Sequence, residues 1–269
     1  MKQIRLAGVA VTTLLLSVPS LCGAFDTVTP IVDSSGLLLG GARGRNWIKA
    51  EQLLPQLKGG ESYRFYGFSG GPVTYMGSKP ELDEASGAAY FIPFKSRAQT
   101  GKALTVGVGG KHRAQPRQVR SASTTQPVYL KAVSTVLAKN GIKVSRPNIT
   151  RVLRLDLDGR GEDSVLIEAQ SPNFPLMPDA TNKANAYSLV MLRTMIRGRL
   201  ETHVLAARFV KSNDSHLIEQ FTLAPPVDLN GDKVFEIIVE SQYYEGGGAM
   251  VFALQKGVPK EVLGASAGA

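Results

Sequence analysis

Two short acidic loops, 72 residues apart, carry the residue types best suited to chemistry: Asp156-Leu157-Asp158-Gly159-Arg160-Gly161-Glu162-Asp163 and Asp228-Leu229-Asn230-Gly231-Asp232. Each runs straight into an aliphatic stretch. Oxygen-bearing side chains at alternate positions of a glycine-turned loop can converge on one hard cation, and calcium takes about six to eight oxygen ligands. The same residues are also the default makers of Asx-type hairpin turns that hold no metal. Neither loop is an EF-hand, because its twelfth position falls on Ile167 or Val239 inside a strand-like run, where a bidentate acid would be needed.

A second chemistry would use the acids directly. Asp156, Asp158, Asp163, Glu236 and Glu245 could supply a carboxylate pair for glycoside hydrolysis, which requires a separation of about 5 to 9.5 Å across a cleft. Other signals are weaker. Gly67-Phe68-Ser69-Gly70-Gly71 fits the spacing of an esterase serine elbow, but Pro72, Val73 and Tyr75 continue it as turn and strand, where an elbow must open a helix. No histidine precedes His112, which argues against a trypsin-like order. His203 and His216 could meet across strands with Asp214 or Glu201, yet no His-Glu-x-x-His or cysteine cluster supports zinc. Tyr243-Tyr244 could form a stacking platform, although neighbouring strand residues face opposite sides and one of the two is expected in the core.

The elements that must position these groups read as mostly strands. Runs of strand character cover 149–155, 164–169, 187–196, 202–210, 217–223, 235–241 and 249–254. Arg197-Gly198-Arg199 and Gly246-Gly247-Gly248 suit hairpin turns. Pro127 opens a helix: Tyr129, Ala132, Val133, Val136 and Leu137 share one face, and Asn140-Gly141 stops it. Upstream, Ser62-Tyr63-Arg64-Phe65-Tyr66-Gly67-Phe68 alternates as a half-buried strand does, 104–108 reads as another, and 48–57 reads as one short helix. The expected fold class is α+β, mainly antiparallel β: a C-terminal antiparallel sheet with one packed helix, preceded by a small β-rich N-terminal module. The expected division is 1–24 signal peptide, 25–110 N-terminal module, 111–127 basic linker, 128–258 α+β domain with both loops, and 259–269 flexible tail.

Composition bounds the setting. Lys2 and Arg5, an apolar run over 6–18, Pro19 and then Cys22-Gly23-Ala24 form the three-part pattern of a secretory signal cleaved before Phe25. The expected location is therefore periplasmic or extracellular. A competing reading acylates Cys22 as a lipoprotein anchor, but Leu21 before it is bulky for such sites. Cleavage would leave 245 residues with no cysteine, so stability must come from the core or from metal. It would also lower the formal charge from +9 to +7. Between residues 85 and 155 there are 13 Lys and Arg and no acid at all. That asymmetry suggests an anionic envelope polymer or lipid headgroups contacting basic residues of 95–154, in preference to nucleic acid; the alternative is an ordinary solvated basic face.

Both loops follow the pattern Asp-x-Asp/Asn-Gly-x into a strand, and on those residues the chain resembles the aspartate-rich loops of FG-GAP and VCBS-type repeats. It also resembles a group of uncharacterised exported bacterial proteins that share a signal peptide, a segment like Gly59-Gly60-Glu61-Ser62-Tyr63-Arg64, a helix and two such loops. The resemblance covers about a third of the chain, chiefly 149–170 and 227–248. It implies Ca2+ binding and no catalytic residues. Carried over, the second loop would ligate through Asp228, Asn230, Asp232 and Glu236 with the Val234 carbonyl; the first, a weaker set, through Asp156, Asp158, Glu162 and Asp163. Lys233 stands where the pattern has glycine, Arg160 where it has a third acid, and Ser164 where it has the final acid. Three functions follow as expectations: an exported non-catalytic protein stabilised by calcium and binding an anionic polymer, an exported polysaccharide hydrolase, or a metal-free structural interaction module.

Overall fold

The computed structural model describes residues 28–95, 104–110, 114–115, 117–172, 174, 185–211 and 218–268. The chain is mainly antiparallel β with two short helices. In order the elements are β1 (Thr29–Asp33), β2 (Leu38–Arg43), β3 (Asn46–Ile48), α1 (Ala50–Leu53) with a 3-10 turn (Leu54–Gln56), β4 (Ser62–Gly67), β5 (Val73–Met76), β6 (Glu81–Asp83), β7 (Ala89–Phe91), β8 (Leu104–Gly109), β9 (Arg120–Ser121) and α2 (Pro127–Lys139). The second half is β10 (Ile149–Leu155), β11 (Ser164–Gln170), β12 (Ala186–Ile196), β13 (Arg199–Val210), β14 (Gln220–Leu223), β15 (Ile237–Tyr243), β16 (Gly246–Gln255) and β17 (Val258–Gly268).

These strands make a six-stranded sheet in the order β3-β2-β1-β8-β4-β5, a five-stranded sheet β13-β12-β11-β10-β9, a four-stranded sheet β14-β15-β16-β17, and the β6-β7 pair. The four-stranded sheet is the middle layer. Because successive strand residues point to opposite faces, Ile237 and Val239 of β15 pack with Leu153, Leu166 and Val190 of the five-stranded sheet, while Ile238 packs with Ile31, Val106 and Val108 of the six-stranded sheet. The outer face of the five-stranded sheet is covered by α2 through Tyr129, Val133 and Leu137. The far face of the six-stranded sheet carries α1 and an aromatic group in which Phe94 meets Tyr63 and Phe65 edge to face. β11, covered on both sides, reads as an apolar run at 165–167, whereas β10 keeps Thr150 and Arg154 at exposed positions.

Several expectations change in detail. The helix expected over 48–57 shrinks to α1 and a 3-10 turn, because Pro55 lacks an amide hydrogen for the next helical bond. Gly246-Gly247-Gly248 is not a turn. Tyr243 pairs with Gly246, so Tyr244-Glu245 make the turn, and the glycines lie in β16, where a Cβ on Gly246 or Gly248 would strike the β17 carbonyls of Ala267 and Ala265. The tail expected at 259–269 is strand through Gly268, turned back by Lys256-Gly257, both at positive φ, a signal suited to a two-residue hairpin. Within 111–127, Arg120–Ser121 joins the five-stranded sheet as β9, and Ala114 is fully buried. The N-terminal sheet and the middle sheet share one apolar core. The segment expected as a signal peptide, Cys22, His112, Asp214 and His216 lie outside the described residues. Among the described residues no helix is long and apolar enough to cross a membrane.

Leu263 of β17 is 4% exposed and belongs to the core shared by two sheets. Leu263→Ala should lower the urea unfolding free energy by about 2–5 kcal/mol. A flexible tail would give a change within about 0.5 kcal/mol, so a value that small would refute the packing described for β17.

Candidate functional site

The two acidic loops close equivalent hairpins, β10 to β11 and β14 to β15, and fold the same way. In the first, Asp156 Oδ1 accepts the Gly159 amide at 2.8 Å and Oδ2 the Gly161 amide at 2.9 Å. In the second, Asp228 Oδ1 accepts the Gly231 amide at 2.6 Å and Oδ2 the Lys233 amide at 2.9 Å. The fifth residue after each lead aspartate has positive φ, +83° at Gly161 and +68° at Lys233. Lys233 therefore takes the backbone conformation of the glycine it replaces, which costs a side-chain-bearing residue about 1 kcal/mol or more. Leu157 and Leu229 anchor the two loops in adjacent cores, and the Phe235 amide donates to the Leu157 carbonyl at 2.9 Å, joining them.

Their electrostatics differ. The first loop is neutralised by arginines. Arg120 and Arg154 reach Asp163 at 2.6 and 3.0 Å, and Arg160 reaches Asp158 at 3.1 Å. Arg117 donates to the Asp156 and Leu157 carbonyls and stacks over the Phe235 ring. Glu162 is exposed. Where a cation would sit, this loop already has guanidinium groups.

The second loop buries its acids more deeply. Asp228 is 2% exposed and Glu236 1%. Asn230 Oδ1 accepts the Asp232 amide, Asp232 Oδ1 the Val234 amide, and Glu236 Oε2 the Leu229 amide at 2.7 Å. Burial pushes the Glu236 carboxyl well above the usual range; the Leu229 amide opposes this, and Asp232 and Asp228 add to it. Among the described residues Arg45, whose side chain is 85% exposed, stands 3.9 Å from Asp232. Among the described residues no three acid, histidine or cysteine side chains converge as a finished metal shell, since the loop amides hold several of the oxygens. The donor set nevertheless fits a hard cation: oxygen donors alternate at 228, 230 and 232, and a buried acid follows at 236.

Of the acids considered for hydrolysis, only Glu245 lines the largest described cleft, about 460 Å³ between the six-stranded and middle sheets. The cleft instead gathers two acids that sequence reading missed, Asp33 at the end of β1 and Glu240 in β15. Burial raises the Glu240 carboxyl to about 7, and Asp33 and Glu168 add to the shift. The available signal was a lone acid inside an otherwise aliphatic run, Ile237-Ile238-Val239-Glu240 and Leu166-Ile167-Glu168. Ser69 lies in the exposed turn between β4 and β5, where Phe68 stacks on Arg151. His203 faces Glu201 at 3.3 Å, and Tyr244 is 53% exposed.

No family model, curated protein or solved structure matches the chain.

Stability against pH tests the buried acids. A carboxyl whose folded pKa is raised contributes stability that is fully present below the unfolded pKa and is lost as pH rises through the folded pKa. For Glu240 that window runs from 4.5 to about 7, a difference on the order of 3 kcal/mol. Urea unfolding of chelator-treated protein at about pH 4.5 and about pH 8 should show wild type losing more stability across the window than Glu240→Gln. Identical losses would mean that Glu240 is not held protonated by the fold.

Proposed function

We propose that this is an exported, non-catalytic protein whose middle sheet is stabilised by one calcium ion at the second loop. The observation that carries the reading is Glu236, 1% exposed and set against Asp228 and Asp232. A buried carboxylate among other carboxylates is costly unless a proton or a cation compensates it. Asp228, Asn230, Asp232 and Glu236 would hold the ion, with the Val234 carbonyl as a further oxygen. Calcium would supply no reaction step; its charge would let Glu236 ionise and would brace the β14–β15 hairpin. The first loop, filled by arginine, is a plain turn in this reading.

The test is melting and calorimetry of residues 25–269 with and without calcium. Wild type should bind about one ion and gain about 2.7 kcal/mol at a hundredfold excess over Kd. Glu236→Gln should melt higher than wild type without metal at neutral pH, because it need not take up a proton on folding, and should lose the calcium response. Lys233→Gly should keep that response and bind calcium more tightly, because it relieves the backbone and removes an ammonium. A wild type that gives neither heat nor a melting shift leaves both loops as turns.

We further propose that an anionic envelope component binds the outer face of α2. Arg117, Arg120, Arg151 and Arg154 are engaged within the protein. Lys131, Lys139, Lys143 and Arg146 are exposed on α2 and the segment after it and form no ion pair among the described residues. Reversing these four to Glu should abolish co-sedimentation with anionic vesicles at low salt and leave melting nearly unchanged. Binding that survives the reversal would exclude this face.

A further inference from the structure

The cleft between the six-stranded and middle sheets carries a separate reading. Among the described residues its charged lining is Asp33, Glu240 and Glu245, with no lysine, arginine or histidine, although the whole chain has a formal charge of +9. Chance placement of charge in so basic a chain would favour cations there.

Two of these acids are built into the fold. Asp33 is 9% exposed, and its Oδ1 accepts the Ser35, Gly36 and Leu37 amides at 2.7, 3.0 and 2.9 Å and the Ser35 hydroxyl at 2.6 Å. Four donors fix one oxygen, and among the described residues Oδ2 accepts no hydrogen bond, leaving it for the cleft. Glu240 lies in β15 opposite Thr222 and Ala249 and has no hydrogen bond or ion pair among the described residues. Glu168, the other acid acting on it, is already satisfied: the Leu223 amide donates to Oε2 at 2.7 Å, the Thr150 hydroxyl to Oε1 at 2.6 Å, and Arg151 stands 3.7 Å away. Two carboxylates with unused acceptor oxygens therefore face the same space.

We propose that this cleft binds an organic ammonium ligand with a hydroxylated body, the ammonium seated between Asp33 and Glu240. A volume of about 460 Å³ falls in the range of small-molecule sites and far exceeds a bare ion. Among the described residues no three acids converge as a metal shell. Ser34, Ser86, Thr222, Gln220 and Gln242 also line the cleft and offer hydroxyl and amide partners to a polar ligand body. Close approach is helped by Gly246-Gly247-Gly248, which form part of the wall without side chains. Glu240 gives up its proton when the ammonium enters, so the ligand's charge replaces the proton that otherwise relieves the repulsion from Asp33 and Glu168.

The experiment compares glucosamine with glucose, which differ by an ammonium in place of a hydroxyl, and adds putrescine as an amine without hydroxyls. Each is titrated into the full chain near neutral pH and followed by amide NMR shifts. Glucosamine should perturb β1, β15 and β16 and bind at least tenfold more tightly than glucose, with putrescine between them. Glu240→Gln and, separately, Asp33→Asn should each weaken glucosamine at least tenfold while the remaining spectrum stays folded. Equal binding of glucose, binding indifferent to both substitutions, or no cleft perturbation by either amine would each overturn the proposal. Repeating the titration with chelator on Glu236→Gln separates this site from the calcium loop: the amine response should persist there whether or not the loop binds metal.

Discussion

The middle sheet is buried on both faces, and this constraint governs the rest of the molecule. Ile237 and Val239 look one way and Ile238 the other, so the first half of β15 has no solvent side on which to place a charge. Glu236 and Glu240 bracket that apolar strip, one just before the strand and one inside it. Each is pushed up by burial, because an ionised carboxylate loses its hydration there, and neighbouring carboxylates add to the shift. The same layering holds the fold together without cysteines in the described part, since three sheets and two helical caps share successive apolar cores. The two sites argued for above thus arise from one cause, acids placed where the fold cannot hydrate them.

The pair of loops shows how one backbone solution can serve two electrostatic ones. Both wrap their amides around a lead aspartate at the same spacing, and both need a residue at positive φ five positions later. The first loop satisfies that need with Gly161 and meets its acids with Arg120, Arg154 and Arg160. The second tolerates the strain at Lys233, keeps an acid at Asp232 where the first has Arg160, and buries Glu236 where the first has Ser164. Arginine ion pairs neutralise the first loop, while the second buries its lead aspartate and the glutamate that follows it.

Much of the fold was legible in the sequence, and the reasons are local. The α2 stripe from Tyr129 to Leu137 has helical period, and β11 and β12 are mostly aliphatic because both of their faces are covered. Residues 258–268 were not legible as strand. Val258-Pro259-Lys260-Glu261 mixes proline and charge, and Gly264 and Ala265 carry too little side chain to show a period; the pairing comes from β16, not from intrinsic preference. The glycine triplet misled for a related reason. Glycine there answers close approach of β17 and not a turn. Likewise, Asp33 and Glu240 are far apart in sequence, and only the stacking of two sheets brings them to one cleft.

Charge follows the same geometry. The stretch from 85 to 155 contains cations and no acids, yet it is followed by the acids that complete it: Asp163 takes Arg120 and Arg154, and Glu168 stands by Arg151. These arginines work within the fold because a planar guanidinium can serve carbonyls, carboxylates and aromatic faces at once, as Arg117 does between Leu157 and Phe235. Lysine offers a compact charge on a flexible stem, and Lys131, Lys139 and Lys143 are exposed on α2 and the segment after it. Among the described residues the positive charge of this stretch therefore divides into arginines that tie the first loop to the five-stranded sheet and lysines left on the outer surface of α2 and the segment after it.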